Sequence, residues 1–238
     1  MNILAIDTST SLASIAVATG EQVSSETLIN TNRTLSARLV PEIERLLISA
    51  GLTISDIDIF ASSIGPGSFT GVRGGVATIQ GLALATGKPC AGFSSLAMLA
   101  MNFALSTTLI CPMLDARKSE AYAALYDCSR EIPSPRIDDC VLPPDALLDR
   151  IAVTTTEPVI FMGEGAVRYR DQIAARLGSQ AIFAPMSHNV SHAANGIVLA
   201  LHASSHANLL EPAQLLPVYL RASDAELMKA KKNSKNID

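Results

Sequence analysis

The chain has 238 residues, 48% of them hydrophobic and 17% charged, so it can bury a sizeable core and is not a disordered chain. Its 22 acidic residues outnumber its 18 basic ones, which gives a formal net charge of −4. That balance excludes the basic footprint of a stand-alone nucleic-acid binder. A 4% share of aromatic residues, without tryptophan, excludes a surface rich in base-stacking rings.

The first half of the sequence predicts three strands followed by alternating helices and strands. Turn residues separate strands 3–6, 14–18 and 22–29, a pattern typical of an antiparallel meander. A helix over 34–50 follows, with apolar residues in an arc of about 140° at about 100° per residue. Pro41 lies inside this helix and is expected to kink it or to delay its start. The remaining elements are a strand at 58–64, a loop at 65–71, helix 72–86, strand 89–93 and a helix to about 104.

A second unit beginning near residue 107 repeats this order of elements. The predicted strands are 109–114, 121–126, 136–141, 158–161 and 181–183, and the predicted helices are 144–151, 165–177 and 191–206. Two such βββαβα-type halves predict a duplicated α/β architecture with a cleft between them. We therefore predict a first domain over 1–106, a second over 107–224 and a frayed, lysine-rich tail over 225–238.

Neither the cysteines nor the N-terminus carries a targeting or metal motif. No C-x-x-C pair is present, which indicates reduced, buried thiols. The first ten residues lack the basic region of a signal peptide. Proline, glycine and polar residues interrupt the uncharged run 89–114, so we expect no membrane span there. The sequence predicts a cytoplasmic protein.

The loop 65–71, G-P-G-S-F-T-G, is the strongest local signal. Three glycines permit close approach of another group, and the free N–H groups of the following helix would suit an anion. The loop could therefore bind a phosphate or a partner, and the alternative is a tight turn between strand and helix. No G-K-[ST] follows, so the loop is not a Walker A motif.

Helices 34–50 and 72–86 have surplus apolar or small surface. The 140° arc exceeds the stripe of about 100° that one core face needs, and glycine inside the second helix lowers helix stability unless something packs closely on it. Two interpretations remain open: an interface with a second protein, or burial of both arcs within the chain.

Two polar clusters follow the first strand of each half. Asp7-Thr8-Ser9 could face a phosphate-bound metal in the cleft, or could serve only as turn residues. Asp115, Arg117 and Glu120 could position a ligand, although a structural salt bridge is the commoner outcome.

The histidines form two H-x-x-x-H pairs, His188 with His192 and His202 with His206, a spacing that can bind metal. On one continuous helix over 188–206 all four would fall within about 80°, opposite the apolar residues. We therefore predict a solvated helix face and no metal site.

Five segments in order along the chain closely resemble the bacterial TsaB (YeaZ) family. They are I-L-A-I-D-T-S at 3–9, G-P-G-S-F-T-G-V-R at 65–73, S-S-L at 94–96, D-A-R at 115–117 and P-V-Y-L-R at 217–221. The resemblance implies an actin/Hsp70-like fold (ASKHA, ribonuclease H-like). It also implies a part in making threonylcarbamoyladenosine at position 37 of tRNAs that read codons beginning with A.

In that family the chain is a non-catalytic subunit that dimerises with and activates the catalytic relative TsaD, and the ATPase TsaE joins the pair. ATP and metal are then expected on the partner subunits and no cofactor on this chain. Contact with tRNA inside the complex and self-pairing of the isolated chain are further expectations. The resemblance assigns the TsaD contact to helices 34–50 and 72–86. The predicted interface residues are Leu35, Leu39, Ile43, Leu46, Val72, Gly75, Val76 and Ile79.

The family loops supply a second set of expected sites. The residues expected to contact a ligand there are Asp7, Thr8, Ser9, Gly65, Pro66, Gly67, Ser68, Phe69, Thr70, Gly71, Arg73, Asp115, Arg117 and Glu120. Ser9 stands where active ATPases of this fold usually have glycine, and helix 34–50 lacks the H-x-x-x-H metal pair of the catalytic relative. We therefore expect no independent ATP hydrolysis. The alternatives are an ATP-dependent small-molecule kinase or ATPase of the same fold, or a metalloprotease.

Overall fold

The computed structural model describes residues 1–30 and 35–221. Residues 31–34 and 222–238 lie outside that description, and so does the predicted frayed tail. The described chain forms two five-stranded mixed sheets with helices packed on them. The predicted α/β class and the repeated order of elements are therefore confirmed.

The first sheet combines a meander with parallel strands. Its strands are Asn2–Asp7 (β1), Leu12–Thr19 (β2), Gln22–Asn30 (β3), Ile59–Ser63 (β4) and Cys90–Phe93 (β5). The strand order is β3-β2-β1-β4-β5. β1 pairs antiparallel with β2 and parallel with β4, and β4 pairs parallel with β5. Parallel pairing requires a crossover, which a helix supplies each time.

The second sheet repeats this topology. Its strands are Leu109–Arg117 (β6), Glu120–Asp127 (β7), Ser134–Leu142 (β8), Val159–Met162 (β9) and Ala181–Phe183 (β10). The order β8-β7-β6-β9-β10 matches that of the first sheet strand for strand. Helices Pro144–Thr154 (α4), Glu164–Arg168 (α5) and Arg170–Leu177 (α6) accompany it, so the single helix predicted over 165–177 is two helices.

Helices Leu35–Ser49 (α1) and Phe69–Thr86 (α2) cover one face of the first sheet. α2 begins three residues earlier than predicted because the Ser68 hydroxyl accepts a hydrogen bond from the Gly71 N–H and caps the helix. Pro41 lies inside α1, which continues to Ser49. Their apolar sides join the strands in one core.

Each half contributes its last helix to the sheet of the other half. Helix Ser95–Ala100 (α3) packs with the apolar side chains of β6 and β7. Helix Ala193–Ser205 (α7) packs on β1, β2, β4 and β5. These two helices occupy the space between the sheets and join the halves.

The segment after α7, residues 209–221, returns to the first half, and we call it the strap. Leu210 exchanges two backbone hydrogen bonds with Cys90 in β5, both 2.8 Å. The Gln80 amide donates to the carbonyl oxygens of Pro212 and Leu215, each at 3.0 Å. Leu215 is fully buried in the first core. The second domain predicted over 107–224 thus includes β6–β10, while its last part, α7 and the strap, packs with the first sheet.

Candidate functional site

Asp7 lies at the end of β1 and is fully buried. Its Oδ1 accepts hydrogen bonds from the Ser63 hydroxyl at 2.5 Å and the Ser9 N–H at 3.0 Å. Its Oδ2 has no partner among the described residues. Burial raises the pKa of Asp7, against the opposite effect of hydrogen bonds from Ser63, Ser9 and Ser191. This carboxyl group is enclosed by serine hydroxyls and does not face an open cleft.

The glycine loop packs directly onto the turn that follows β1. A Cβ atom at Gly71 would lie far inside van der Waals contact with the Thr8 carbonyl oxygen, and one at Gly75 would overlap the Thr8 hydroxyl. Gly67 is similarly close to the Ser9 backbone. The Thr8 hydroxyl donates to the Gly71 carbonyl at 2.8 Å, and Ser68 N–H donates to the Ser9 carbonyl at 2.7 Å. The glycines therefore admit residues of this chain.

These contacts decide whether the site fits the nucleotide and metal that the fold family implies. Phosphates would need the turn at Asp7–Ser9 and the start of α2 to stand apart. Here Thr8 and Ser9 fill that space, and Asp7 is sealed from solvent. The described residues therefore do not fit a bound nucleoside triphosphate. Residues 65–68 form a tight turn between β4 and α2, and these contacts do not support the phosphate interpretation of the loop.

The loop also holds the strap. Val218 N–H donates to the Ile64 carbonyl at 2.8 Å, and Gly65, at φ +109°, lies against the Val218 carbonyl. The rings of Phe69 and Tyr219 lie 5.0 Å apart. The sequence showed the loop and P-V-Y-L-R as separate motifs, and folding joins them.

The acidic and basic residues of the second half form ion pairs with neighbouring elements. Asp115 pairs with Arg168 at 2.5 Å and accepts the Arg117 N–H at 3.0 Å. Glu120 pairs with Arg221 of the strap at 2.7 Å. Arg117 is exposed at the end of β6. Asp115 and Glu120 therefore take the structural role that the sequence left open.

The predicted interface residues on α1 and α2 point inward, and that prediction is wrong. They pack with the strands of the first sheet, and each of the described side chains is at most 4% exposed. Gly75 is also buried, against Thr8. The side chain of Leu35 lies outside the description. The residues that face the core instead of a partner are Leu39, Ile43, Leu46, Val72, Gly75, Val76 and Ile79. Hydrophobic periodicity identifies the side of a helix that faces the sheet, and in this protein that side is the core.

The outward sides of the same helices nevertheless carry apolar and small residues. We call this surface the α1–α2 face, formed by Val40, Ile48, Ala77, Gly81 and Leu84. Ile48 is 68% exposed and Leu84 is 75% exposed. A Cβ atom added at Gly81 would meet nothing within 4 Å. Sequence reasoning missed these residues; the signal was the near absence of charge along α2, whose one charged residue is Arg73.

The histidines do not share one helix. His188 lies in a turn against the Phe103 ring, and His192 precedes α7 and contacts Glu26 Oε2 at 3.0 Å. His202 and His206 are exposed at the end of α7. Within residues 1–30 and 35–221, no group of three or more metal-binding side chains is assembled.

All four cysteines are free, three buried and Cys140 partly so. Across the described part of the chain, no helix has both the length and the apolar composition that a membrane crossing needs.

Comparison with known sequences identifies relatives over most of the chain. The family model described as TsaD, tRNA N6-adenosine threonylcarbamoyltransferase, matches residues 24–229. The tRNA threonylcarbamoyladenosine biosynthesis protein TsaB of Bacillus subtilis is 29% identical over 227 residues, covering 95% of this chain and 96% of that protein. The Escherichia coli protein of the same name is 37% identical over 128 residues, covering 53% of this chain and 55% of that protein.

Solved structures agree. YeaZ from Pseudomonas aeruginosa superposes with a TM-score of 0.80 at 31% identity, covering 92% of this chain and 99% of that one. The ROK hexokinase from Thermus thermophilus has a TM-score of 0.53 at 11% identity, covering 86% and 100%, which shows the fold alone.

The fold is thus that of the actin-like (ASKHA) kinases and ATPases, as predicted. The chain belongs to the TsaD family and, within it, to the TsaB (YeaZ) group.

Proposed function

We propose that this chain acts in tRNA threonylcarbamoyladenosine biosynthesis as a non-catalytic subunit that binds and activates the catalytic relative TsaD. The observation that carries the proposal is the α1–α2 face, whose exposed apolar residues have no partner within the described chain. In the same chain, Thr8 and Ser9 occupy the loops that would otherwise bind a ligand. The relatives named TsaB supply the pathway. The TsaD family model, which covers most of this chain, supplies the kinship with the partner.

The filled loops support a division of labour. Thr8 and Ser9 occupy the space that a triphosphate would need, and Asp7 is buried without access to a ligand. ATP and metal then belong to the partner subunits, TsaD and the ATPase TsaE. The complex would work in the cytoplasm, where it meets tRNA.

The α1–α2 face supports the mode of association. Large apolar side chains that stand out of a helix pair attract a complementary surface, because burying them removes apolar area from water. Gly81 lets a partner backbone come close. Two helices from each subunit would then form one packed bundle, and the isolated chain would pair with itself through the same face.

Substitution on this face tests the proposal. Leu84→Asp and Ile48→Asp should leave the fold intact and abolish co-elution with purified TsaD in size-exclusion chromatography. They should also fail to restore the modified nucleoside in a bacterium depleted of its own TsaB. Val153→Asp is the matched control, because Val153 is 90% exposed on α4 of the second half. Unchanged TsaD binding by both face variants would refute the docking mode.

A nucleotide test separates the proposal from the kinase alternative. Millimolar ATP with magnesium should leave the melting temperature of the isolated chain unchanged and should not be hydrolysed. A clear rise in melting temperature together with turnover would favour an enzyme of the same fold.

A further inference from the structure

Arg73 is the single charged residue among the 18 of α2, and its guanidinium group is fixed in place. The guanidinium carbon lies 3.8 Å from the centre of the Phe69 ring and 5.4 Å from that of Tyr219. Its Nε donates a hydrogen bond of 2.6 Å to the Tyr219 hydroxyl. Stacking on two rings and one hydrogen bond remove most of the rotamer freedom that an exposed arginine normally has.

The two terminal amino groups of Arg73 are not used by the described part of the chain. An arginine has five N–H donors, and the bond to Tyr219 uses the one on Nε. Among the described residues, no carboxylate pairs with this guanidinium or with the arginines at 117, 130, 150 and 170, whereas the arginines at 38, 45, 136, 168, 176 and 221 each have such a partner. Four oriented donors thus face solvent beside α2.

These donors lie at the edge of an apolar groove between α2 and the strap. The groove has a volume of about 490 Å³, and Ala77, Leu216 and Pro217 form its apolar wall above the buried Val76. Leu216 is 62% exposed. The Gln80 amide, which also lines the groove, already donates to strap carbonyls. An occupant would therefore meet an apolar wall and one forked cation.

We infer that Arg73 is a preorganised anchor for an Asp or Glu carboxylate of the partner protein, presented beside an apolar side chain that enters this groove. The inference deepens the proposed function and rests on it. A planar guanidinium binds a carboxylate through two parallel hydrogen bonds. Nucleic-acid phosphates are usually met by several lysines and arginines together, whereas one arginine beside apolar walls is typical of a protein–protein hot spot.

The groove is continuous with the α1–α2 face. Ala77 belongs to both surfaces, and Arg73 and Leu84, eleven residues apart, lie within about 20° of each other around α2 at about 100° per residue. One partner that covers Leu84 would therefore also reach Arg73. The carboxylate would fix the register of the helix pairing, which apolar contacts alone leave loosely specified.

Affinity for purified TsaD, measured by titration calorimetry, tests the anchor. Arg73→Gln should weaken binding by about thirtyfold, the lower bound for a hot-spot residue. Arg73→Lys should weaken it by about tenfold, because an ammonium group cannot make the forked contact. Arg176→Gln, which removes an exposed arginine of the second half, should leave the dissociation constant unchanged. Melting temperatures of all three variants identify any loss of fold.

Charge exchange keeps the test independent of small stability changes. Arg73→Glu should abolish binding, and one Asp→Arg or Glu→Arg substitution on TsaD should restore it. Failure of every acidic position on the TsaD surface to restore binding would overturn the inference.

The two proposals fail separately. If Arg73→Gln binds TsaD within twofold of the parent chain while Leu84→Asp does not bind, the anchor is refuted and the α1–α2 face stands. If Arg73→Gln, Leu84→Asp and Ile48→Asp all leave binding unchanged, both are refuted. If Arg73→Gln lowers affinity for tRNA but not for TsaD, the acceptor is an RNA phosphate and the inference is wrong.

Discussion

The two halves of the molecule share one strand order but differ in the helices that cover their sheets. In the first half the outward side of α1 and α2 bears Val40, Ile48 and Leu84. In the second half the outward side of α4 and α6 carries an Arg176–Asp149 ion pair at 2.7 Å and a Gln172–Asp145 hydrogen bond at 2.5 Å, and Val153 is exposed on α4. Eight residues of α6 include three charges and fifteen of α1 include four, whereas eighteen of α2 include one.

Because both sheets have the same topology, the fold itself does not require an apolar outer surface. The second half shows the same fold with ion pairs and polar contacts on the outward side of its helices. The low charge of α2 and the exposure of Leu84 on it therefore support the proposed docking of a partner on this helix. Four sets of substitutions test this contrast.

The largest effect is expected on the inner side of α1. Leu39 is 1% exposed, so Leu39→Ala should lower the free energy of unfolding by about 2–5 kcal/mol through lost burial and a residual cavity. Ile48→Ala on the outer side should change it by less than about 0.5 kcal/mol. Urea denaturation of both variants measures the difference, and equal losses would contradict the assignment of the two sides.

Alanine substitutions at two glycines of α2 should change the stability of the chain in opposite directions. Gly71→Ala forces a Cβ into the backbone carbonyl of Thr8, and overpacking of this kind should cost about 1–3 kcal/mol. Gly81→Ala meets open space and should stabilise the isolated chain by about 0.4–1 kcal/mol. Thermal melts compare them; a stabilised Gly71→Ala chain would show that the loop is open enough for a ligand after all.

Two carboxyl groups, one in each half, should give opposite pH responses. Burial raises the pKa of Asp7, so its contribution to stability is complete below the unfolded-state value of 3.8 and is lost as the pH rises through the folded-state pKa. Asp7→Asn keeps both hydrogen bonds at Oδ1, so its stability relative to the parent should increase with pH. Urea titrations at several pH values would test this. A stability of Asp7→Asn that falls relative to the parent chain as the pH rises would contradict it.

Hydrogen bonds from Ser129 and Arg136 lower the pKa of Asp127 to about 2. Its stabilising effect is present above the unfolded-state value of 3.8 and is lost as the pH falls toward about 2. Asp127→Asn should therefore be less stable than the parent at neutral pH, and the two should converge in acid. If the two stabilities converged at alkaline pH instead, the lowered pKa of Asp127 would be contradicted.

The smallest effect is expected on the outer side of the second half. Arg176→Ala breaks an ion pair whose side chains are 52% and 61% exposed, and such pairs contribute about 0–1 kcal/mol. TsaD affinity should not change. A loss of affinity would extend the docking surface to α4 and α6 and remove the contrast between the halves.

The sequence by itself determined the order of elements in both halves and the family. Strand alternation, helical periodicity and turn residues depend on neighbours within a few positions, so the strand predicted at 109–114 lies within β6 and the loop predicted at 65–71 lies between β4 and α2, although α2 already begins at Phe69. Burial of the apolar arc was one of two open interpretations, since periodicity shows that a face is apolar without showing what covers it.

Only the tertiary structure decided which residues meet. The Arg73–Tyr219 bond joins positions 146 apart in the chain, and α3 and α7 exchange sheets between the halves. Thr8 fills the glycine cradle that a sequence motif alone left open to a phosphate. Packing of distant segments sets these contacts, because a side chain's neighbours in space depend on the path of the whole backbone and not on the local pattern that forms a helix or a strand.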